Sequence, residues 1–442
     1  MLWDVFSTVQ DFMHFFLYLD ADRILHYFWM FLIFDLPRYV LLDLLVIFIY
    51  LPLKYIHRHR DHRARQQLFK ERPLVSIIVP GKNEGKHLTK LAMSLRQQTY
   101  SKLEIIIVDD GSDDDTPVVG RRLKQQGLID YFIRNEERGG KASAANTGLI
   151  YAKGRFIVHL DADLHLNNNA IERVILPFMI DERIGMVGGD VRVRNADDSL
   201  TARVQAIEYM KGISVGRSVA SMVGMLRIVS GAFGAFRADV LRDELKGWDV
   251  GPGLDGDITL KFRNLGWKIF HEPRAVCYTH VPNTLPKLAR QRLRWDRSIV
   301  RFRVRKHVHI LKVSKNFRML DFLTVFENLF SNIFLNILWW MYLFQIVFFD
   351  SEFLLRIFVI NYFLYLASNI IAYIIALCLQ GDTLRLKDYA LVFFLPLMPF
   401  YIGFYLRVVR TYAYMSEFIC KSSYNDTWNP WKVSSIAKKE GL

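Results

Sequence analysis

The sequence predicts an α/β domain with a mainly parallel, doubly wound sheet, embedded between transmembrane α-helices. Short β-branched runs alternate with helical patterns between residues 72 and 318, several of those runs end in acidic residues, and long apolar stretches flank them. The chain has 442 residues, of which 52% are hydrophobic and 23% are charged. This combination predicts that charged and apolar residues occupy different segments of the chain.

The chain has a net charge of +14, and its positive charge is concentrated in two segments, 54–72 and 290–315. Basic segments bind nucleic acid in some proteins, but Lys and Arg also accumulate on the cytoplasmic side of membrane helices. Because each segment adjoins an apolar run, we favour the membrane interpretation and expect no nucleic-acid partner. The cysteines, Cys277, Cys378 and Cys420, have no spacing typical of a disulfide framework or a zinc site.

Residues 1–57 are predicted to form an N-terminal membrane segment. The stretch 39–53 is apolar except for Asp43 and leads into the first basic segment. The stretch 24–34 is apolar as well, and it forms either a short span or a helix that lies in the membrane interface. The basic residues that follow predict that the middle domain is cytoplasmic.

Residues 72–288 are predicted to form the α/β domain. The runs 75–79, 104–108 and 156–160 are typical of buried strands, and 86–98 has a helical pattern. Ligands of such sheets bind beyond the carboxyl ends of the strands. Polar residues follow all three predicted strands: Asn83 and Glu84, then Asp109 and Asp110, then Asp161 and Asp163.

The carboxylates at these strand ends have two interpretations each. Asp161 and Asp163, two residues apart, suit Mg²⁺ or Mn²⁺ shared with a diphosphate, although solvated loops carry similar pairs. Asp109 and Asp110 can accept hydrogen bonds from a base or a ribose hydroxyl, or they form an Asx turn. Lys141 follows two glycines at a predicted helix start, where backbone N–H groups and an ammonium suit phosphate oxygens.

Two further motifs lie in the second half of the chain. Asp255 or Asp257 can act as a general base, and the other of the two then caps the helix that follows. The residues Gln291, Arg292, Arg294 and Trp295 precede an apolar region by about two dozen residues. Guanidinium groups bind diphosphate oxygens, and an indole offers a sugar ring an apolar face.

The rest of the chain is predicted to return to the membrane. We expect interfacial helices over 289–328, including a basic helix at 297–315 on anionic lipid, transmembrane helices over 329–411 and a tail over 412–442. Three stretches approach the length of a span: 329–349, 357–378 and 389–406. Three spans would place the basic tail outside, against the charge bias. Either the third, proline-containing stretch does not cross, or the apolar stretches divide differently.

These motifs, in this order, resemble those of the processive family 2 glycosyltransferases, which are the membrane synthases of cellulose, chitin, hyaluronan and poly-N-acetylglucosamine. The family signature is Asp-Asp-Gly, D-x-D, an acidic element that ends in the catalytic aspartate, and Q-x-x-R-W. The resemblance covers about residues 72–320, and the stretch 230–237 is most like poly-N-acetylglucosamine synthases. One position departs from the signature, because Leu254 stands where the family usually has a second acid.

The resemblance implies a GT-A domain and a role for each motif residue. The implied donor-binding residues are Asn83, Glu84, Asp109, Asp110, Lys141 and Asp161. The implied ligands of Mg²⁺ or Mn²⁺ are Asp161 and Asp163. Asp255 is implied to be the catalytic base. The residues implied to meet the acceptor and the diphosphate are Gln291, Arg292, Arg294 and Trp295.

The activity that the resemblance implies is processive, inverting β-glycosyl transfer. A multi-pass enzyme of the inner or plasma membrane, with its catalytic domain in the cytoplasm, would polymerise UDP-N-acetylglucosamine or UDP-glucose into an exopolysaccharide of the biofilm type and translocate it. Its partners would be the UDP-sugar, the growing polysaccharide and the lipid bilayer, with room for a small membrane or periplasmic subunit. Two other interpretations stay open: a non-processive enzyme that makes a lipid-linked sugar, and a catalytically silent pore or partner subunit.

Overall fold

The protein is described here as a computed structural model that covers residues 10, 14–15, 17–56, 58–249, 253–312, 317–425 and 430–440. The start of the predicted membrane segment 1–57 and part of the second basic segment lie outside these ranges. Within them, one mixed sheet and its surrounding helices form the α/β domain, and apolar helices precede and follow it.

Eight strands build one sheet, and their bounds are β1 Val75–Gly81, β2 Leu103–Asp109, β3 Tyr131–Arg134, β4 Phe156–Leu160, β5 His165–Leu166, β6 Ile184–Val193, β7 Phe233–Arg237 and β8 Lys268–Thr279. Their order in the sheet is β3-β2-β1-β4-β7-β6-β8-β5. The pairs β1–β2, β1–β4, β2–β3 and β6–β8 are parallel, whereas β7 runs antiparallel to both of its neighbours and β5 runs antiparallel to β8. The predicted mainly parallel α/β domain is therefore confirmed, with β7 as an antiparallel insertion.

Helices cover both faces of the sheet, as the prediction of a doubly wound fold requires. Successive side chains of a strand point to opposite faces, and Ile77 and Ile105 enter one hydrophobic cluster while Ile78 and Ile106 enter the other. The helices of this part of the chain are α1 Ala21–Trp29, α2 Leu42–Ile56, α3 Arg58–Glu71, α4 Gly85–Arg96, α5 Thr116–Gln125, α6 Lys141–Tyr151, α7 Ala170–Ile180, α8 Leu200–Tyr209, α9 Gly216–Met222, α10 Leu254–Asn264 and α11 Leu285–Ile299.

The C-terminal part consists of helices joined by short turns in its described residues. Its α-helices are α12 Met319–Leu329, α13 Leu335–Phe348, α14 Leu354–Gln380, α15 Leu386–Ala390, α16 Met398–Phe400, α17 Leu406–Cys420 and α18 Trp431–Glu440. Segments of π-helix lie at Met30–Asp35, Pro37–Leu41, Met210–Val215, Val240–Glu244, Val300–Lys306, Phe330–Phe334 and Tyr401–Tyr405. Segments of 3-10 helix lie at Ala196–Asp198, Val308–Leu311, Ser351–Phe353, Gly381–Thr383, Leu391–Leu397 and Ser422–Asn425.

Three continuous helical stretches are long and apolar enough to cross a membrane: Met319–Phe348, Ser351–Gln380 and Leu386–Cys420. The third contains Pro396 and Pro399, and its helix changes around them to a 3-10 segment at Leu391–Leu397 and a π segment at Tyr401–Tyr405. Proline removes a backbone donor and crowds the preceding turn, which explains the irregular stretch.

The third apolar helix lies against the α/β domain from one end to the other. Polar contacts occur along its whole length: Lys387 Nζ to Asp197 at 3.1 Å, the Tyr401 hydroxyl to Glu208 at 2.7 Å, the Tyr405 hydroxyl to the Leu285 carbonyl at 2.6 Å, and Arg410 Nε to Asp296 at 3.5 Å. The tail returns to the same domain, because Lys432 Nζ lies 3.1 Å from Glu137 Oε2.

The N-terminal helical stretch joins the two ends of the molecule. His26 Nε2 lies 3.2 Å from Asp350, in the turn between the first two C-terminal apolar helices. At the other end, α3 packs on the α/β domain, where Arg65 Nε donates to Glu172 at 2.6 Å. The chain from 21 to 56 therefore runs from the far end of the apolar helices to the α/β domain. That it spans a membrane stays a prediction.

The expectation of a lipid-facing basic helix at 297–315 is wrong for the residues that the structure describes there. Arg301 and Arg303 are 2% and 4% exposed. Arg305 pairs with the buried carboxylate of Glu417 at 2.5 Å, and Lys306 pairs with Asp249 at 2.6 Å. Carboxylates of the tail and of the domain neutralise Arg305 and Lys306, and the Arg303 guanidinium donates to the Arg227 carbonyl at 3.2 Å.

Candidate active site

The two carboxylates of the D-x-D motif follow β4, where the sequence predicted them, and each has a partner. The Lys141 ammonium forms an ion pair with Asp161, and the Thr279 hydroxyl at the end of β8 donates to Asp163 at 3.1 Å. Burial and the neighbouring Asp161 carboxylate raise the pKa of Asp163. This corner of the site therefore holds more negative charge than its protein partners neutralise.

Glu84, at the start of α4, belongs to the same acidic corner. Burial and the charges of Asp163 and Asp161 raise its pKa to about 7. The described residues contain no cluster of three or more His, Cys, Asp or Glu side chains arranged to hold a metal ion. A donor set of two carboxylates, with an uncompensated third nearby, fits a divalent cation that takes its other ligands from phosphate oxygens.

Lys141 is presented to this corner by a glycine loop. Gly140 precedes α6 at a φ of 84°, a backbone conformation that favours glycine. The carboxylate of Asp110 accepts the backbone N–H groups of Gly139 at 2.8 Å and Gly140 at 2.7 Å. Asp110 thus shapes the loop that carries Lys141, because both of its oxygens are already engaged by backbone donors.

Asp109 ends β2 and is completely buried. One oxygen accepts the Ser112 N–H at 3.0 Å, and the other lies 3.5 Å from Arg134 Nε with no hydrogen bond among the described residues. Asn83 joins the neighbouring loop at a φ of 61°, and its N–H donates to the Ser112 hydroxyl at 2.8 Å. The Asp109 oxygen without a hydrogen bond can therefore accept one from an N–H or O–H group of a ligand in this crevice.

Asp255 lies in the first turn of α10, directly against Gly231. A Cβ placed on Gly231 would come within 1.9 Å of Asp255 Oδ1, so only glycine fits opposite this carboxylate. Burial raises the pKa of Asp255, against the opposing influence of Lys141 and of the Gly231 N–H. Lys141 Nζ in turn lies 3.4 Å from the Gly231 carbonyl, so Gly231 connects Asp255 to the acidic corner.

Asp257, the second candidate for a base, is enclosed in an ion cluster. It is 4% exposed, and it lies 2.7 Å from His307 Nε2 and 2.9 Å from Lys306 Nζ. Burial alone would raise the pKa of Asp257, but the hydrogen bond from His307 and the charge of Lys306 outweigh burial and lower the pKa. Of the two aspartates, only Asp255 has the environment of a general base.

The residues Gln291 to Trp295 all lie on α11, where they have different environments. Arg292 donates to Glu208 at 2.8 Å, and its guanidinium lies 4.4 Å from the centre of the Trp295 ring. Trp295 itself is 38% exposed, and Gln291 has a buried side-chain oxygen without a hydrogen bond among the described residues. Arg292 therefore supports the indole from within the protein, whereas the resemblance implied that it meets the diphosphate or the acceptor.

Arg294 lies near Lys141. Burial and the charge of Arg294 lower the pKa of the Lys141 ammonium, whereas the carboxylates of Asp161 and Asp255 raise it. The resulting group of Lys141, Asp161, Asp255 and Arg294 draws on the start of α6, the loop after β4, and helices α10 and α11. Cations and carboxylates from four separate elements thus meet at the carboxyl end of the sheet.

Sequence reasoning missed four residues that shape this site: Gly231, Thr279, Glu208 and Arg134. Gly231 lies in the stretch 230–237, whose resemblance to one branch of the family implied no role for any single residue. No local pattern marks the other three, because each acquires its contact through the pairing of distant segments. Thr279, for example, reaches Asp163 only through the position of β8 beside β5.

Comparison with known proteins supports the assignment of this domain. Residues 76–244 match the family model described as Glycosyl transferase family 2. Two curated relatives are the poly-beta-1,6-N-acetyl-D-glucosamine synthases of Staphylococcus epidermidis and of Staphylococcus aureus (strain COL). Each is 31% identical over 223 residues, which cover 50% of this chain and 53% of the relative. The chain thus spans about half the length of the curated relatives it matches.

A solved structure shows the same fold. The mannosyltransferase from Pyrobaculum calidifontis, in complex with GDP-Man and Mn²⁺, aligns with a TM-score of 0.54 at 19% sequence identity, over 86% of this chain and 99% of that chain. At this identity the likeness concerns the fold alone. The family match contains the residues from Asn83 to Asp163. Residues 76–244 are therefore a family 2 glycosyltransferase domain, and the fold of the α/β domain is of the GT-A type.

Proposed function

We propose that the protein is a membrane-integrated, inverting β-glycosyltransferase that polymerises sugar from a UDP-sugar donor and exports the polymer. The observation that carries the proposal is the meeting of Lys141, Asp161 and Asp255 around Gly231. A cation for phosphate, a metal-binding carboxylate and a buried base within one crevice are the groups that direct glycosyl transfer requires. The similarity to poly-N-acetylglucosamine synthases over half of the chain supports UDP-N-acetylglucosamine as the donor, with UDP-glucose as the second candidate.

The nucleotide would lie at the carboxyl ends of β1 and β2. The Asp109 oxygen that has no hydrogen bond among the described residues would accept an N–H of the uracil, and Arg134 lies beside it. Asn83 and Glu84 would line the adjacent crevice, and Asp110 would act indirectly by shaping the loop of Lys141. Lys141 would bind the diphosphate, because its ammonium already lies at the D-x-D motif.

Asp161 and Asp163 are the residues that would hold Mg²⁺ or Mn²⁺. The bound cation would neutralise charge on the diphosphate and so make UDP a better leaving group. The protein side of this arrangement is the acidic corner, in which the pKa values of Asp163 and Glu84 are both raised. Burial and the repulsion between carboxylates both raise these pKa values, and the cation would relieve the repulsion.

Asp255 would take the proton of the acceptor hydroxyl. As the acceptor oxygen bonds to C1 of the donor sugar, the bond from C1 to the diphosphate oxygen breaks on the opposite face, and the configuration at C1 inverts. The hydroxyl proton passes to the Asp255 carboxylate, and UDP leaves with its charge opposed by Lys141 and Arg294. Burial of Asp255 supports this role, since a raised pKa makes a carboxylate a stronger base.

Trp295 would stack on the acceptor sugar as the polymer approaches the membrane helices. Its ring is partly exposed, and Arg292 lies against one of its faces. The face away from Arg292 is the one that would receive a sugar ring. The polymer would then leave between the apolar helices, since a polar chain cannot cross lipid unaided.

For the topology, we propose that the helix Leu386–Cys420 lies at the membrane interface and does not cross. Its contacts with the α/β domain at both ends support this arrangement, as does the contact of the tail with Glu137. The helical stretch 21–56, Met319–Phe348 and Ser351–Gln380 would then cross, with the α/β domain and the C-terminal tail both cytoplasmic. This arrangement satisfies the charge bias that three C-terminal spans violate.

The test is a donor panel. Purified protein in nanodiscs is incubated with UDP-N-acetylglucosamine, UDP-glucose and UDP-galactose in Mg²⁺ or Mn²⁺, and the product is sized and digested with linkage-specific hydrolases. The proposal expects UDP release and a long product from one donor. Release of UDP with a single sugar added to lipid would favour the non-processive alternative, and no release from any donor would favour the silent subunit.

A further inference from the structure

An ion cluster with a buried centre, formed by Asp257 and His307, lies immediately beside the proposed base. It contains two carboxylates, two ammonium groups and one imidazole: Asp249, Asp257, Lys261, Lys306 and His307. Lys306 Nζ lies 2.6 Å from Asp249 and 2.9 Å from Asp257, and Lys261 Nζ lies 2.5 Å from Asp249. Nothing in the transfer reaction described above uses these groups.

His307 completes the cluster as a hydrogen-bond donor. It is 4% exposed, its Nε2 lies 2.7 Å from Asp257 Oδ1, and its Nδ1 has no hydrogen bond among the described residues. With a proton on Nε2, the ring donates to the Asp257 carboxylate. Removal of this donor would leave the buried Asp257 carboxylate with one hydrogen bond fewer, and an insufficiently paired buried charge is destabilising.

A second contact holds the same helix on the other side of Asp255. Gly253 precedes α10 at a φ of 88°, and a Cβ at this position would lie 2.2 Å from the Phe302 ring. The segment from Phe302 to His307 therefore touches α10 two residues before Asp255, through Gly253, and two residues after it, through Asp257. The position of the Asp255 backbone is fixed between these two contacts.

The clamping segment continues directly from α11. Leu285–Ile299 runs into the π-helix Val300–Lys306 without a break, and Trp295 lies on the α11 part. Helix α11, which carries Trp295, and helix α10, which carries Asp255, are thus held together as one unit.

We propose that His307 and Lys306 are positioning residues, which hold Asp255 at a fixed place relative to Trp295 by anchoring Asp257. The inference rests on the proposed function, since it concerns the base and the acceptor of that reaction. Donor binding lies in the domain from β1 to β4 and does not depend on the clamp. Loss of the clamp therefore lowers the rate of transfer without lowering the affinity for UDP-sugar.

The experiment compares His307→Phe, which fills the space but cannot donate, with His307→Gln, whose amide N–H extends to a reach similar to that of Nε2. Lys312→Met is the control, because Lys312 is an exposed residue of the same basic segment. We expect His307→Phe to reduce kcat about tenfold or more, as displacement of a catalytic group by a fraction of an ångström does. The Kd for UDP-sugar stays within about twofold, which a clamp remote from the donor site predicts. His307→Gln recovers most of kcat, and Lys312→Met retains wild-type values.

Three outcomes would overturn the inference. The first is a wild-type kcat in His307→Phe. The second is a parallel loss of donor affinity and kcat that His307→Gln does not restore, which would indicate a general folding role. If His307→Phe does not fold, Lys306→Met is measured in its place, and an unchanged kcat in that variant is the third. The proposed function fails separately, when wild-type protein releases no UDP from any donor.

Discussion

The contact between Gly231 and Asp255 allows a sharp test of the proposed base. In Gly231→Ala the added methyl carbon would lie 1.9 Å from Asp255 Oδ1 and 2.5 Å from its Cγ. Contacts below about 3.0 Å do not occur between such atoms, so the carboxylate must retreat by about 1 Å. Asp255 belongs to a helix that is clamped on both sides of it, and the side chain therefore has to turn away from its present position.

A displacement of about 1 Å costs a positioned catalytic group about a hundredfold in rate, which corresponds to roughly 2.7 kcal/mol in the barrier. We therefore expect kcat of Gly231→Ala to fall by about two orders of magnitude, whereas the Kd for UDP-sugar changes little because the nucleotide crevice is formed by other loops. The control is Gly212→Ala, since a Cβ on Gly212 meets nothing within 4 Å.

The assay measures UDP release under saturating donor, together with UDP-sugar affinity by calorimetry and the melting temperature of each variant. A Gly231→Ala enzyme with kcat within about threefold of wild type would refute the reasoning, since a base displaced by an ångström cannot transfer a proton at an undiminished rate. An equal fall of kcat in Gly212→Ala would show instead that an added methyl group lowers kcat even where it contacts no neighbouring atom.

Three further predictions concern the metal, the base and the indole. Asp163→Asn folds and inserts but has no turnover, and EDTA abolishes the activity of the wild type; full activity in EDTA would contradict the metal site. Asp255→Asn binds UDP-sugar but does not transfer it. Burial raises the pKa of Asp255, and the ionised form is the active one. We therefore expect kcat of the wild type to fall at acid pH with an apparent pKa above the usual carboxyl value of about 4. A kcat that stays constant down to that pH would contradict this. Trp295→Ala shortens the polymer and weakens acceptor engagement about tenfold while Trp295→Phe retains part of the activity; polymer of normal length from Trp295→Ala would assign the indole to membrane anchoring.

The fold was predictable because its signals are local. The runs 75–79, 104–108 and 156–160 are β-branched and buried on both faces, and the structure forms strands over each of them with extensions of at most two residues. The antiparallel strand β7 was not predicted, since its direction depends on the long segment that connects β6 to β7 and not on its own residues. Residues that approach each other only because of such a connecting segment leave no pattern in the sequence.

The candidate site was predictable in its residue types but not in their relationships. Asp255 and Asp257 are equivalent in a one-dimensional pattern, and the choice of Asp255 as the base came from the family resemblance alone. The structure adds the different environments, because Asp255 lies against Gly231 and Asp257 lies against His307. Arg292 was grouped with Arg294 by proximity in sequence, yet Glu208 turns Arg292 inward on α11. The basic segment was assigned to lipid because its carboxylate partners are distant in sequence: Asp249 is 57 residues from Lys306, and Glu417 is 112 residues from Arg305.

The most direct test of the central claim is the rate of UDP release from UDP-N-acetylglucosamine by purified wild-type protein and by Asp255→Asn, measured side by side in Mn²⁺. The proposed function predicts sustained release with a growing polymer in the wild type, and binding of the donor without release in the variant. Equal release by the two proteins, or none by the wild type with this or any other UDP-sugar, would contradict it.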